Sequence, residues 1–179
     1  MYRSYHAPPP GDNRSRNLLE INRRRGHDEA TQTDGVLMSY DLKALSRQWF
    51  EEVWNKRRLS AIQELAHTDA QAYGLAPEGQ AISFDTFPQF QKRFVDTFPD
   101  FHINVDDVVQ EGDKTVVRLT ATGTHTGNAM GVPPTGKPIR ITGMIMIRWK
   151  DGKIIEAWNE FDAWGMTQQL SAPPTMYIK

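Results

Sequence analysis

The sequence predicts an α+β domain: a cone-shaped, curved antiparallel sheet covered by three N-terminal helices, with a short C-terminal helix. Three observations predict it. Between Tyr40 and Phe98 apolar residues recur at steps of three and four, the period of a helix buried along one side. From Phe101 to Asp162 the chain changes to runs of β-branched residues separated by short breaks that carry Gly and Asp. Helices first and a meander of strands afterwards put the helices on one face of an antiparallel sheet.

Residues 1–37 stand apart. They open with Ala7-Pro8-Pro9-Pro10-Gly11 and continue through Arg14, Arg16, Arg23, Arg24 and Arg25. Such a composition buries too little apolar surface to order itself, so this stretch is expected to be a disordered or weakly ordered extension. Asp12, Glu20, Asp28 and Glu29 argue against an import presequence, which is poor in acids. The domain proper is expected over 38–171, with 172–179 as a Pro-containing tail.

In the first helix Leu42, Leu45, Trp49, Val53 and Trp54 form the buried stripe, with Lys43, Arg47, Glu51 and Glu52 on the other faces. A shorter helix follows around Ser60 to Ala66, with Ser60 as a suitable N-cap. Tyr73 is read as part of an irregular segment. The third helix is expected over 84–98, with Phe87, Phe90, Phe94 and Phe98 in line and Pro88 tolerable in its first turn. Strands are expected over 101–110, 114–125, 139–150 and 153–162, paired as three consecutive hairpins. Asp151-Gly152 suits the positive φ of a tight hairpin turn. A helix over 163–170 closes the domain.

Composition removes several function classes. With 21 Lys+Arg against 22 Asp+Glu and a net charge of -1, nothing draws the chain toward nucleic acid or an anionic membrane. Without cysteine there is no thiolate nucleophile or thiolate metal site, and no His/Glu spacing matches a zinc motif. No apolar run approaches the roughly 20 residues that span a bilayer. A cytoplasmic protein with no cofactor and no metal is expected, its chemistry left to carboxylates, histidines and hydroxyls.

The last strand carries the candidates. Strict alternation puts Glu156, Trp158, Glu160 and Asp162 on one face and Ile155, Ala157, Asn159 and Phe161 on the other. If the first set faces a cavity in the cone, Trp158 walls a partly desolvated carboxylate. Trp54, Tyr73, Phe87 and Met144 are expected to help line that cavity, with Trp158 and Glu160. Asp162 has a second reading as the N-cap of the helix that follows. His125, in Gly123-Thr124-His125-Thr126-Gly127, can polarise a carbonyl or simply bond a loop. Met130 and Val132 sit at the tip of the 127–137 loop, where they can cover a cavity mouth or meet a second subunit.

Asp-Phe-His-Ile at 100–103, Gly-Thr-His-Thr-Gly at 123–127, Pro-Pro-Thr-Gly-Lys at 133–137, Trp-Asn-Glu-Phe-Asp at 158–162 and Gln168-Gln169-Leu170 together resemble the SnoaL-like polyketide or ester cyclases. These share the nuclear transport factor 2-like cone fold with ketosteroid isomerase, scytalone dehydratase and limonene-epoxide hydrolase. The resemblance implies intramolecular aldol chemistry on a small apolar or poly-carbonyl molecule, with Asp162 as acid/base; His125, read from its own position at a strand end, is the candidate carbonyl polariser. It also implies a homodimer paired through the exposed sheet face. The same fold hosts non-catalytic ligand-binding or dimerisation modules and epoxide or ester hydrolases, which stay open as alternatives.

Overall fold

Asp41 opens the first helix, α1 (Leu42–Trp49), by accepting the backbone N–H of Ala44 on Oδ1 at 2.9 Å. The helix then widens into π-type turns over Phe50–Asn55, and this brings Phe50 inside with Val53 and Trp54. The structure, a computed structural model, describes residues 40–76 and 79–171, so the expected extension 1–37 and tail 172–179 lie outside the described residues. α2 (Ser60–Leu65) starts differently from the expectation for Ser60. Ala61 and Ile62 give their N–H groups to the carbonyls of Arg58 and Leu59, and the Ser60 hydroxyl accepts from Arg58 instead of capping.

The chain continues through β1 (Ala66–Tyr73), β2 (Ile82–Ser83), α3 (Phe87–Thr97), β3 (His102–Glu111), β4 (Lys114–Thr124), β5 (Pro138–Lys150), β6 (Lys153–Phe161) and α4 (Ala163–Ser171). The six strands form one curved, unclosed sheet in the order β2-β1-β6-β5-β4-β3. β3 to β6 are the expected hairpins, and Asp151 and Gly152 both take positive φ at the last turn. β1 corrects the reading of Tyr73 as irregular, and it runs parallel to β6, so the sheet is not wholly antiparallel. Its sequence, AHTDAQAY, has weak strand propensity. Pairing to β6 and burial of Ala70 and Ala72 supply what propensity does not.

β5 decides which face is which. Ile139, Ile141, Gly143, Ile145, Ile147 and Trp149 are buried, while Arg140, Thr142, Met144 and Met146 are exposed. The buried set meets the helices over a cluster of aromatic rings. Trp54 has the rings of Phe87, Phe90, Phe94 and Phe101 at 5.8–6.4 Å, mostly edge-on. Beside the cluster, Trp149 donates its indole N–H to the Thr115 hydroxyl at 2.9 Å, and that hydroxyl also bonds Ser46. No helix among the described residues is long and apolar enough to cross a membrane.

Candidate active site

A cavity of about 340 Å³ lies between the inner face of the sheet and the helices. Its walls are largely apolar: Trp49, Trp54, Phe87 and Phe101 from the helical side, Ile145 and Ile147 from the sheet. Gly74, Glu160, Phe161 and Ala163 line it and are themselves exposed, so they mark the mouth. Gly143 shapes that mouth. It faces Phe161 across the β5–β6 ladder, and a Cβ there would come within 2.6 Å of the Phe161 ring, so the glycine leaves the seat on which the ring rests.

Among the described residues the polar members of this wall are Asn159 and Glu160, and the register separates them: Asn159 pairs with the inward Ile145, whereas Glu160 pairs with the outward Met144, so its carboxylate turns to the outer face at the rim. Asn159 donates from Nδ2 to the Tyr73 carbonyl at 2.8 Å, tying β6 to the end of β1. An amide carries two N–H groups, so one donor and the side-chain carbonyl remain for a ligand. Asp162 follows directly. Its Oδ1 accepts the Gly165 N–H at 2.7 Å and its carbonyl accepts the Met166 N–H, so it caps α4. Its own N–H goes to the Thr142 carbonyl, which fixes the strand end. Phe161 and Ala163 on either side of it in sequence line the cavity, whereas Asp162 itself is exposed next to the mouth and is not among the lining residues.

Residues 44–170 match the family described as SnoaL-like polyketide cyclase. The chain belongs to that family. Among solved structures, IdmH of Streptomyces antibioticus, a proposed polyketide cyclase, is 32% identical with a TM-score of 0.67, over 74% of this chain and 100% of that one. AclR of Streptomyces galilaeus, a proposed hydroxylase, is 29% identical with a TM-score of 0.64, over 74% of this chain and 82% of that one. A proposed SnoaL-like polyketide cyclase of Jannaschia sp. CCS1 shares the fold at 23% identity and a TM-score of 0.68, over 80% of this chain and 100% of that one. The comparison with curated proteins found no match.

In this SnoaL-like chain the residues expected to line the cavity divide between two faces. Trp54 and Phe87 are in the wall and Glu160 is at the rim. Trp158, Tyr73 and Met144 are not. Trp158 and Tyr73 stack on each other on the outer face at 5.8 Å, and Met144 is 54% exposed there. Met144 lies outward by the alternation of β5 itself, and for Trp158 the cause is a bulge. Trp149 pairs with Ile154 but Arg148 pairs with Glu156, so Ile155 is an extra residue and the parity of β6 reverses after it. Ile154 and Ala157 then both point inward, and Asn159 faces the cavity opposite Ile145. Strict alternation had put Asn159 on the other face from Trp158, Glu160 and Asp162, and a bulge is what re-aims it. Glu156 was the available signal, since the bulged register sets it against Arg148 in an ion pair of 2.5 Å.

His125 is buried, outside the cone cavity. It lines a second cavity of about 170 Å³ with Phe98, Met130 and Val132. Its Nδ1 lies 3.1 Å from the Thr135 hydroxyl, its backbone N–H reaches the Lys137 carbonyl, and its ring packs 5.4 Å from Phe98. Among the described residues no group of three or more His, Asp or Glu side chains is placed to hold a metal ion.

The outer face carries the charges. Asp106, in a β3 bulge, accepts from Thr120 at 2.9 Å, Asn104 at 2.6 Å and Arg118 at 3.1 Å. The Thr120 hydroxyl, then the Asn104 amide, hold its carboxyl below the usual aspartate range, and Arg118 adds to the effect. The arginines therefore do not enter the cavity. Arg118 and Arg148 pair with carboxylates on the outer face, and Arg140 is exposed.

Proposed function

We propose that the protein is a cyclase or isomerase that needs no cofactor, moves a proton beside a carbonyl, and acts on a polyketide-like or ester substrate held in the cone cavity. The observation that supports this reading is the meeting of an apolar cavity with the end of β6: Phe161 and Ala163 line the mouth, and the exposed Asp162 sits between them in sequence, next to the opening. An apolar cavity holds a carbon skeleton and leaves its carbonyls to the few polar groups present. The Asp162 carboxylate takes a proton from carbon next to one carbonyl, and the C–H electron pair moves to that carbonyl oxygen as an enolate. The enolate carbon then forms a C–C bond to a second carbonyl of the same molecule. The alkoxide produced recovers a proton from Asp162. The amide of Asn159 is the wall group able to donate to the enolate oxygen.

The test is deuterium incorporation α to the carbonyl of butyrophenone in D₂O, followed by NMR. Wild-type protein is expected to accelerate exchange, and Asp162→Asn to lose on the order of a hundredfold or more. Full exchange in the variant removes Asp162 as the base. One observation favours a second reading, a ligand-binding module: Asp162 spends one carboxylate oxygen on the α4 cap and Trp158 does not wall it. Butyrophenone bound without exchange, in wild type, supports that reading.

The outer face of the sheet fits a second copy of the chain. Met144 and Met146 are exposed beside the Tyr73–Trp158 stack and Val109 is exposed on the edge strand β3, with the Arg118–Asp106 and Arg148–Glu156 pairs alongside. An apolar stripe flanked by both charge signs can meet itself about a two-fold axis.

A further inference from the structure

The cone cavity and the smaller cavity that His125 lines have one wall residue in common, Met166 of α4. The rest of the partition is aromatic and fixed. Phe98 faces the smaller cavity and is fully buried, and its ring packs 5.3 Å from that of Phe94, which faces the larger one. Met166 is the exception, half-buried on a helix with no fully buried residue. Its unbranched thioether adapts to what lies beside it.

The smaller cavity also has a defined chemistry. The Thr97 hydroxyl donates to the Arg93 carbonyl at 2.8 Å and the Thr167 hydroxyl to the Ala163 carbonyl at 2.9 Å, while the His125 Nδ1 faces Thr135. Ser171 is the other polar residue of the lining, and the surface of Phe98, Met130, Val132, Met166 and Leu170, which makes up most of it, favours hydrocarbon.

We infer that the smaller cavity is a subsite for an unbranched alkyl tail of the substrate and that Met166 sets how readily a tail passes into it. The inference rests on the cone cavity being the substrate site. It makes the substrate a carbonyl compound with a compact head and an alkyl chain, longer than the cone cavity alone accommodates.

Straight-chain phenyl ketones from butyrophenone to octanophenone, titrated by calorimetry into the full chain, test it. Affinity is expected to rise with chain length by up to about fourfold per methylene. Met166→Ala should steepen the rise for the longer ketones. Leu170→Trp fills the smaller cavity from a position outside the cone cavity, and should abolish the rise while butyrophenone binds within twofold of wild type. If the rise is the same in Leu170→Trp as in wild type, or if wild type shows none while still binding butyrophenone, the tail subsite is overturned and the cone-cavity reading stands. Failure to bind any phenyl ketone overturns both.

Discussion

The two faces of the sheet are built from the same strands and do opposite things. The inner face of β5 presents isoleucines to a cavity walled by aromatic rings, and its outer face presents Arg140, Thr142, Met144 and Met146 to solvent. Charge is sorted with the same strictness: the Arg118–Asp106 and Arg148–Glu156 pairs are outside, the Glu160 carboxylate turns outward at the rim, and the wall keeps the amide of Asn159. The difference teaches that the site depends on parity. A single extra residue in β6 decides which side chains face the cavity.

The comparison breaks most visibly at its two tryptophans. Trp54, 8% exposed and surrounded by four rings, is expected to cost about 3–5 kcal/mol on truncation to Ala, measured by urea unfolding. Trp158 has one ring partner, and its Ala variant is expected to cost about 1 kcal/mol in the monomer. Similar losses for the two would mean that the outer face is as deeply packed as the inner.

A smaller effect is expected from Gly143→Ala. The added methyl meets the Phe161 ring at a distance no real contact adopts, so the ring must leave its seat at the mouth. Overpacking of this kind costs about 1–3 kcal/mol. Butyrophenone affinity should change with it, because Phe161 lines the cavity. A variant with unchanged stability and affinity would show that Phe161 does not rest on Gly143 in solution.

Much of this was legible in the sequence, and the misses have causes. β5 announces its faces by alternation, and α4 announces its start by Asp162 followed by a helical pattern. The Asp151-Gly152 turn fixes the last hairpin. Strict alternation leaves no room for a bulge, so Trp158 was grouped with Glu160 and Asp162 on the face expected to line the cavity, and Asn159 was set on the other. Propensity does not reveal a bulge. Cross-strand charge does, since only the shifted register pairs Glu156 with Arg148 and keeps both out of the cavity. β1 was missed because AHTDAQAY is a strand by virtue of its neighbours, and a single sequence records propensity more plainly than partners.

Met146→Glu sharpens the outer half of the comparison. At a position 36% exposed the change should alter the stability of a monomer by no more than about 0.5 kcal/mol. If the stripe holds two copies together, the same change sets a carboxylate against its two-fold mate and shifts sedimentation from dimer to monomer. A wild-type protein that sediments as a monomer at all concentrations removes the outer face as a self-association surface.

The smallest effect is expected at Asp106, where it is the pH dependence that separates the faces. Its folded-state carboxyl titrates below the ordinary aspartate value of about 3.9, chiefly because the Thr120 hydroxyl and the Asn104 amide donate to the anion. A depressed pKa means that the folded state binds the proton less readily than the unfolded chain. The stabilisation is therefore complete above the unfolded value and fades as pH falls through the folded one. Asp106→Asn lacks this contribution at every pH. Wild type should melt slightly higher than the variant at neutral pH, and the two curves should converge as pH is lowered past 3.9 toward the folded value. A gap that persists undiminished in acid would show that the carboxylate charge contributes nothing and that Asp106 acts through shape alone. The inner face offers no such handle, since Glu160 at the rim turns its carboxylate outward beside Met144.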